Sequence, residues 1–241
     1  MHQQQRGGVV GQAVQVSRVA HTGSRVCVAH ACVWLTRVCG RPTGPMMVHK
    51  TAYVEYVPLG VIGVIAPWNY PFHNMLNHVI SGLFSGNAVV SKPSEYTSWS
   101  STFFTTIVRE ALKVNGHNPD VVQTITGFGE AGAAIVKCPD VDKVIFTGSP
   151  AVGKMVMAGA APYLKPVILE LGGKDPMVFT EDVKIKDVLP MAMRGCFQNC
   201  GQNCCGIERI FVYEKVSATR DGTALTHSHS LTHARTRTHT H

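Results

Sequence analysis

A chain of 241 residues with 45% hydrophobic residues is long enough to bury a sizeable core in one or two domains. The formal net charge of +7 would suit a nucleic-acid partner, but residues 1–50 hold six basic residues and no acidic one, residues 217–241 carry +2, and the stretch between sums to −1. The positive charge therefore sits in the two ends, which excludes a basic footprint on the folded middle.

Eight cysteines without regular spacing do not make a secreted disulfide framework. The start, MHQQQRGG, lacks an apolar signal core, and no apolar run is long enough to span a bilayer. Residues 1–40 show no periodicity and are left unassigned, with disorder expected. Their arginine-rich, acid-free composition is that of a transit peptide, and a mistranslated leader would look the same. The fold is expected to begin between Arg41 and Tyr53.

From Thr51 the pattern is clean. Ala52, Val54 and Tyr56 alternate as a strand, and Val61–Trp68 reads as a buried strand ended by Pro67. Asn69 follows at its carboxyl end, where an asparagine either caps backbone or offers its amide to a ligand. Phe72–Phe84 is predicted helical, with Met75, Val79 and Leu83 as its core stripe and with His73 and His78 packed or solvated. Asn87–Val90 makes the next strand and closes on Lys92, Pro93, Ser94 and Glu95.

A helix over Trp99–Lys113 ends at Gly116–Pro119, and a strand over Val121–Ile125 runs into a glycine-rich loop, Gly127–Gly132. That loop partly matches a dinucleotide-binding fingerprint, a weak signal alone. Val144–Phe146 is a short strand. Thr147, Gly148 and Ser149 then lead into a helix from about Ala151, and small residues there let backbone N–H groups meet a phosphate. Pro166–Leu171 is a strand that brings Glu170 to its carboxyl edge, where open α/β sheets hold ligands. Gly172 and Gly173 allow a bend before the strand Asp175–Phe179, the helix Asp182–Met193 and the strand Ile210–Tyr213. Residues 217–241 are low in complexity and rich in histidine, and disorder is expected there.

Between the last helix and strand lies CFQNCGQNCCGIER, Cys196 to Arg209. A cysteine is commonly core filler, but Cys204, after Gly201 and Gln202 and before Gly206, has the setting of a nucleophile on a sharp turn. The cluster lacks the C-x2-C spacing of zinc sites, and no metal is expected.

The segment F-x-N-x-G-Q-x-C-x-G-x-x-R (Phe197 to Arg209), preceded by L-E-L-G-G-K (Leu169 to Lys174), resembles the active-site signatures of the aldehyde dehydrogenase superfamily. P-W-N (Pro67 to Asn69), K-P-S-E (Lys92 to Glu95) and F-T-G-S-x-x-V-G (Phe146 to Gly153) are similar to further motifs of that family. The resemblance runs from about residue 50 to 216, and a full family member continues well beyond it. It implies an α/β fold, a Rossmann-like cofactor-binding domain over 41–172 followed by the beginning of a catalytic α/β domain over 173–216.

It also implies roles. Cys204 becomes the nucleophile, Asn69 the oxyanion donor and Glu170 the base of thioester hydrolysis. Ala66, Trp68, Lys92, Glu95, Gly129, Gly132, Ser149 and Val152 become the cofactor contacts. The cofactor implied is NAD, with NADP open, because Glu95 disfavours a 2′-phosphate by repulsion. The substrate implied is a small-molecule aldehyde, oxidised to its acid. Full-length relatives form homo-oligomers, and an intracellular, cytoplasmic location is expected because a thiolate needs a reducing compartment, with organelle or membrane association left open. Two rival readings stand beside this one: a truncated, inactive relative that only binds dinucleotide or a partner subunit, and a nucleic-acid binder working through its basic ends.

Overall fold

The computed structural model describes residues 39–41, 45–47, 52–54 and 57–217. Of the disorder expected for 1–40 and 217–241, residues 1–38 and 218–241 lie outside those described, as does Tyr56, while Ser217 is not disordered but ends a short helix, Glu214–Ser217. The described chain begins with an antiparallel pair, β1 (Cys39–Arg41) and β2 (Ala52–Val54). Cys39 and Gly40 belong to the stretch left unassigned, and they are a strand because Val54 and Tyr53 stand opposite them. Three residues carry too little alternation to reveal that from the sequence.

A regular strand–helix alternation follows. It comprises β3 (Val61–Ile65), α1 (Pro71–Phe84), β4 (Ala88–Lys92), α2 (Ser98–Val114), β5 (Val122–Thr124), α3 (Gly129–Lys137), β6 (Lys143–Gly148), α4 (Pro150–Ala160) and β7 (Val167–Leu171). The five strands β3 to β7 are parallel, in the order β5-β4-β3-β6-β7. Parallel neighbours need a crossover, and a helix supplies each one. The chain steps outward from β3 through β4 to β5, then returns to lay β6 on the other side of β3. Connections leaving β3 and β6 thus diverge and open a crevice at the carboxyl edge.

Both faces of the sheet are covered. On one, Met75, Leu76, Val79 and Leu83 of α1 pack with Ile62, Val64, Val89, Val122 and Ile145, backed by Phe104 and Val108 of α2. On the other, Ile135 and Val136 of α3 and Val156 and Ala160 of α4 pack with Val90, Val144 and Phe146. Neighbours on β6 thus feed opposite cores, which is why these strands read as unbroken apolar runs. Gly63, mid-strand in β3, lets α3 come close, since a Cβ there would run into Ile135 Cγ2.

The glycine-rich stretch after β5 differs from the expected loop. Gly129 and Gly132 stand in the first turn of α3, and only Gly127, with φ of 151°, has a left-handed backbone. Ala131, Ala133 and Ala134 favour the helix, and Ile135 and Val136 anchor it in the core, which together outweigh the glycines.

Beyond Gly172 and Gly173 a smaller unit begins. It holds β8 (Asp175–Phe179), α5 (Ile185–Phe197), β9 (Ile207–Val212) and α6 (Glu214–Ser217), with β8 and β9 parallel and irregular between Asp175 and Pro176. Phe179, Ile185, Ala192 and Val216 form its core. α5 starts three residues later than the pattern predicts because Thr180 Oγ1 donates to Asp182 Oδ1 at 2.6 Å and holds that stretch as a turn.

Met75 is fully buried whereas Ile80 on the same helix is 47% exposed. Met75→Ala is therefore expected to lower unfolding free energy by about 2–5 kcal/mol, and Ile80→Ala by no more than about 0.5 kcal/mol. Urea titration of the two variants checks the difference, and similar losses would contradict the assignment of this core.

Candidate active site

All five parallel strands send residues to the crevice edge. After β3, Ala66 is buried and donates its N–H to the Lys92 carbonyl at 3.1 Å, and Trp68 stands 45% exposed. After β4, the Lys92 side chain is 8% exposed and its Nζ lies 3.6 Å from Glu95 Oε2. A hydrogen bond from its own backbone N–H, joined by the nearby Lys92 charge, holds the Glu95 carboxyl below the usual carboxylate range. Gly129 opens α3 beside β5, and a Cβ there would meet nothing within 4 Å, whereas Gly132 is buried against Ile65.

After β6, Ser149 caps α4. Its Oγ accepts the Val152 N–H at 3.4 Å, and Val152 itself is 39% exposed. Pro150 occupies the first helical position, so the helix start carries one fewer N–H than usual. Thr147, two residues before the cap, has a buried Oγ1 without a hydrogen-bond partner among the described residues. A buried hydroxyl left unpaired in the chain is uncommon, and the Tyr70 hydroxyl and Ser101 Oγ share that state.

The cysteine loop is built on an unusual backbone. After α5 ends, Asn199, Cys200 and Gly201 take positive φ values of 54°, 57° and 75° in succession. Glycine bears this freely, but the two others each cost about 1–3 kcal/mol. Hydrogen bonds across the crevice offset that strain. Asn199 Nδ2 donates to the Asn69 carbonyl at 3.0 Å and to the Gln202 carbonyl at 3.3 Å. Asn69 Nδ2 donates to the same Gln202 carbonyl at 3.0 Å, and Asn74 Nδ2 donates to Asn69 Oδ1 at 3.2 Å. The segment after β3 and the loop before Cys204, 133 residues apart, are thereby clamped together.

Cys204 and Cys205 follow in an exposed turn with their sulfurs 3.7 Å apart. Cys204 at its side, acting through a hydrogen bond and charge, pushes the Cys205 thiol up, with burial and the carboxylates of Asp175 and Glu170 adding to it. Burial alone raises the Cys196 thiol. No group of three or more His, Cys, Asp or Glu among the described residues is placed to hold a metal.

Glu170 is the fourth of five residues in β7, opposite Thr147 of β6, and its side chain is exposed. Its charge reaches both Cys205 and His78. The turn that follows joins the two long motifs physically. Arg209 Nε donates to the Lys174 carbonyl at 2.7 Å, and Lys174 is ion-paired with Glu208. The described structure thus brings Asn69 into contact with the Cys204 loop and sets Glu170 within electrostatic reach of it. Asn199 and Asn74 escaped the sequence reading as partners. Asn199 sits inside the F-x-N-x-G-Q run and could have been found there, whereas Asn74 looks like any polar helix position.

An open parallel sheet, covered on both faces and with central connections that diverge at its carboxyl edge, defines a Rossmann-type α/β fold with a topological switch point. The aldehyde dehydrogenase family profile matches residues 10–232, and the chain belongs to that family. An aldehyde dehydrogenase-like protein of Schizosaccharomyces pombe is 44% identical over 179 residues, 74% of this chain and 34% of the relative. The chloroplastic betaine aldehyde dehydrogenase of Beta vulgaris is 44% identical over 177 residues, covering 73% and 34%. Among solved structures, an aldehyde dehydrogenase of Bacillus cereus in its NAD+ complex superposes with a TM-score of 0.69 at 35% identity, covering 83% of this chain and 39% of that one. Succinate-semialdehyde dehydrogenase of Burkholderia pseudomallei gives 0.70 at 30% identity, covering 84% and 40%. The chain spans about a third of the length of the curated relatives it matches. No helix among the described residues is long and apolar enough to cross a membrane.

Burial, with His73 adding to it and Glu170 opposing, pushes His78 below its ordinary value. The folded chain therefore releases this proton at lower pH than the unfolded chain. Its contribution to stability is complete above the unfolded value of about 6.5 and is lost as pH falls from there toward the folded one. Between about pH 7 and 5 the wild type is expected to lose stability more steeply than His78→Gln. Urea midpoints across that range test this, and parallel slopes would contradict it.

Proposed function

We propose that this chain carries the dinucleotide-binding half and the reacting thiol of an aldehyde-oxidising enzyme, with Cys204 as nucleophile. The observation that carries the proposal is the pair of bonds from Asn69 Nδ2 to the Gln202 carbonyl and from Asn199 Nδ2 to the Asn69 carbonyl, which ties the segment after β3 to the loop bearing Cys204.

The residues of the crevice fit a nicotinamide dinucleotide. Thr147 offers a buried hydroxyl lacking a partner among the described residues, and the start of α3 at Gly129 leaves open space. Lys92 and Glu95 at the end of β4 would hold the adenosine ribose, Ser149 and the start of α4 the pyrophosphate, and Val152, Ala66 and Trp68 the flanks. The Glu95 carboxylate, kept ionised by its hydrogen bond and Lys92, repels a 2′-phosphate and favours NAD over NADP. When bound there, the cofactor supplies the acceptor for the hydride given up by the aldehyde carbon.

The remaining steps belong to the chain's own side chains. Cys204 attacks as the thiolate, its sulfur forming a bond to the carbonyl carbon as the π electrons move to oxygen. Asn69 has one amide hydrogen on Gln202 and a second left to donate, and this one meets the developing oxyanion. Loss of hydride leaves a thioester on Cys204. Glu170 then takes a proton from water, whose oxygen bonds to the acyl carbon while the thiolate departs and the carboxylic acid leaves. An aldehyde is the substrate class, in keeping with relatives named for betaine aldehyde and aminoaldehydes.

Aldehyde-dependent NAD reduction by the purified chain tests this directly. Cys204→Ser is expected to abolish it, whereas Cys205→Ser retains at least about half, because only one of the two sulfurs reacts. Glu170→Gln should keep the first-turnover burst but slow the steady state by about 10²-fold, the loss of a general base. A chain that binds no dinucleotide, or a Cys204→Ser variant with undiminished turnover, would overturn the proposal.

A further inference from the structure

We propose that Asn74 is a positioning residue for this site: its amide N–H holds the Asn69 side-chain oxygen and so keeps the Asn69 NH2 turned toward the Cys204 loop. The inference rests on the reading of Asn69 as oxyanion donor and adds a residue that reading does not contain.

An asparagine amide has a donor end and an acceptor end of nearly the same shape, so its direction is set by its neighbours. For Asn69 the deciding neighbour is the Gln202 main-chain carbonyl, which can only accept, 3.0 Å from Nδ2. Turning the amide over would face two oxygens across that distance. With Nδ2 fixed on Gln202, Oδ1 points to Asn74, and Asn74 must present its own NH2, as it does at 3.2 Å. The direction of one amide thus dictates that of the other.

Asn74 is free to serve this purpose because its backbone is satisfied elsewhere. It is the fourth residue of α1, and its N–H already donates to the Tyr70 carbonyl at 2.9 Å. Its side chain is half-buried and reaches back five positions to Asn69 rather than along the helix. An aspartate at this position would only accept. It would draw the Asn69 NH2 toward itself and present Oδ1, a repulsive partner, to any oxyanion on Cys204. Serine keeps a donor.

Side-chain amide NMR of the 15N-labelled full chain gives a readout independent of turnover, with the Asn69 NH2 pair identified by its loss in Asn69→Ala. In Asn74→Asp the Asn69 pair should move and exchange with solvent about tenfold faster, while Asn74→Ser leaves it near its wild-type position. In parallel, kcat for aldehyde oxidation should fall about tenfold or more in Asn74→Asp, with KM for NAD within about threefold of wild type, and should be largely restored in Asn74→Ser. Where Asn74→Asp does not fold, Asn74→Leu, of similar size and without a donor, takes its place. An Asn69 pair unmoved in the donor-free variant, or an unchanged kcat, overturns the positioning role. Movement of the Asn69 pair in a chain whose wild type oxidises no aldehyde would uphold the contact and overturn the enzyme reading on which its use depends.

Discussion

The structure depends on a few hydrogen bonds that cross from one end of the described chain to the other. Asn69, just after β3, and Asn199 and Gln202, just before Cys204, are bonded side chain to backbone in both directions. Without them the cysteine loop would be a strained excursion between α5 and β9, with two non-glycine residues in a left-handed conformation. With them, the same backbone becomes the one geometry that meets the crevice. The strain and the clamp belong together, and the thiol inherits its position from both.

The sheet supplies the other half of this constraint. Because β6 returns beside β3, the ends of these two central strands diverge, and Asn69 and Ser149 are set on either side of the opening. Glu170 reaches the same edge from β7, and the short turn after it leads into β8, which pairs with the strand that follows Cys204. A carboxylate and a thiol 34 positions apart are therefore linked through one small parallel pair and through Arg209 on the Lys174 carbonyl. Membership of the aldehyde dehydrogenase family gives these relations their chemical sense, and the chain's share of about a third of its relatives' length leaves the whole protein's activity a proposal.

Much of this could be read from the residues. The strands of the five-stranded sheet announce themselves as β-branched runs, since each is buried on both faces, and the helices by stripes such as Met75, Val79 and Leu83. Asp175–Phe179 was legible to the residue. What the sequence hid was pairing. β1 exists only opposite β2, α3 looked like a loop because its first turn is glycine-rich, and β9 begins at Ile207 because Asp175 stands opposite it. At the site, motif residues carried their own signal, but the partners that orient them did not. Asn74 has no motif, and its contact with Asn69 depends on how far a helix start turns the chain back on itself.

The central claim is that the thiol of Cys204 and the dinucleotide crevice are one site. Rates of alkylation of individual cysteines by iodoacetamide, followed by peptide mass spectrometry with and without NAD, test it most directly. Bound NAD is expected to slow modification of Cys204 by about tenfold while leaving Cys138, at the C-terminal end of α3, unchanged. Equal rates for Cys204 with and without saturating NAD would contradict the account.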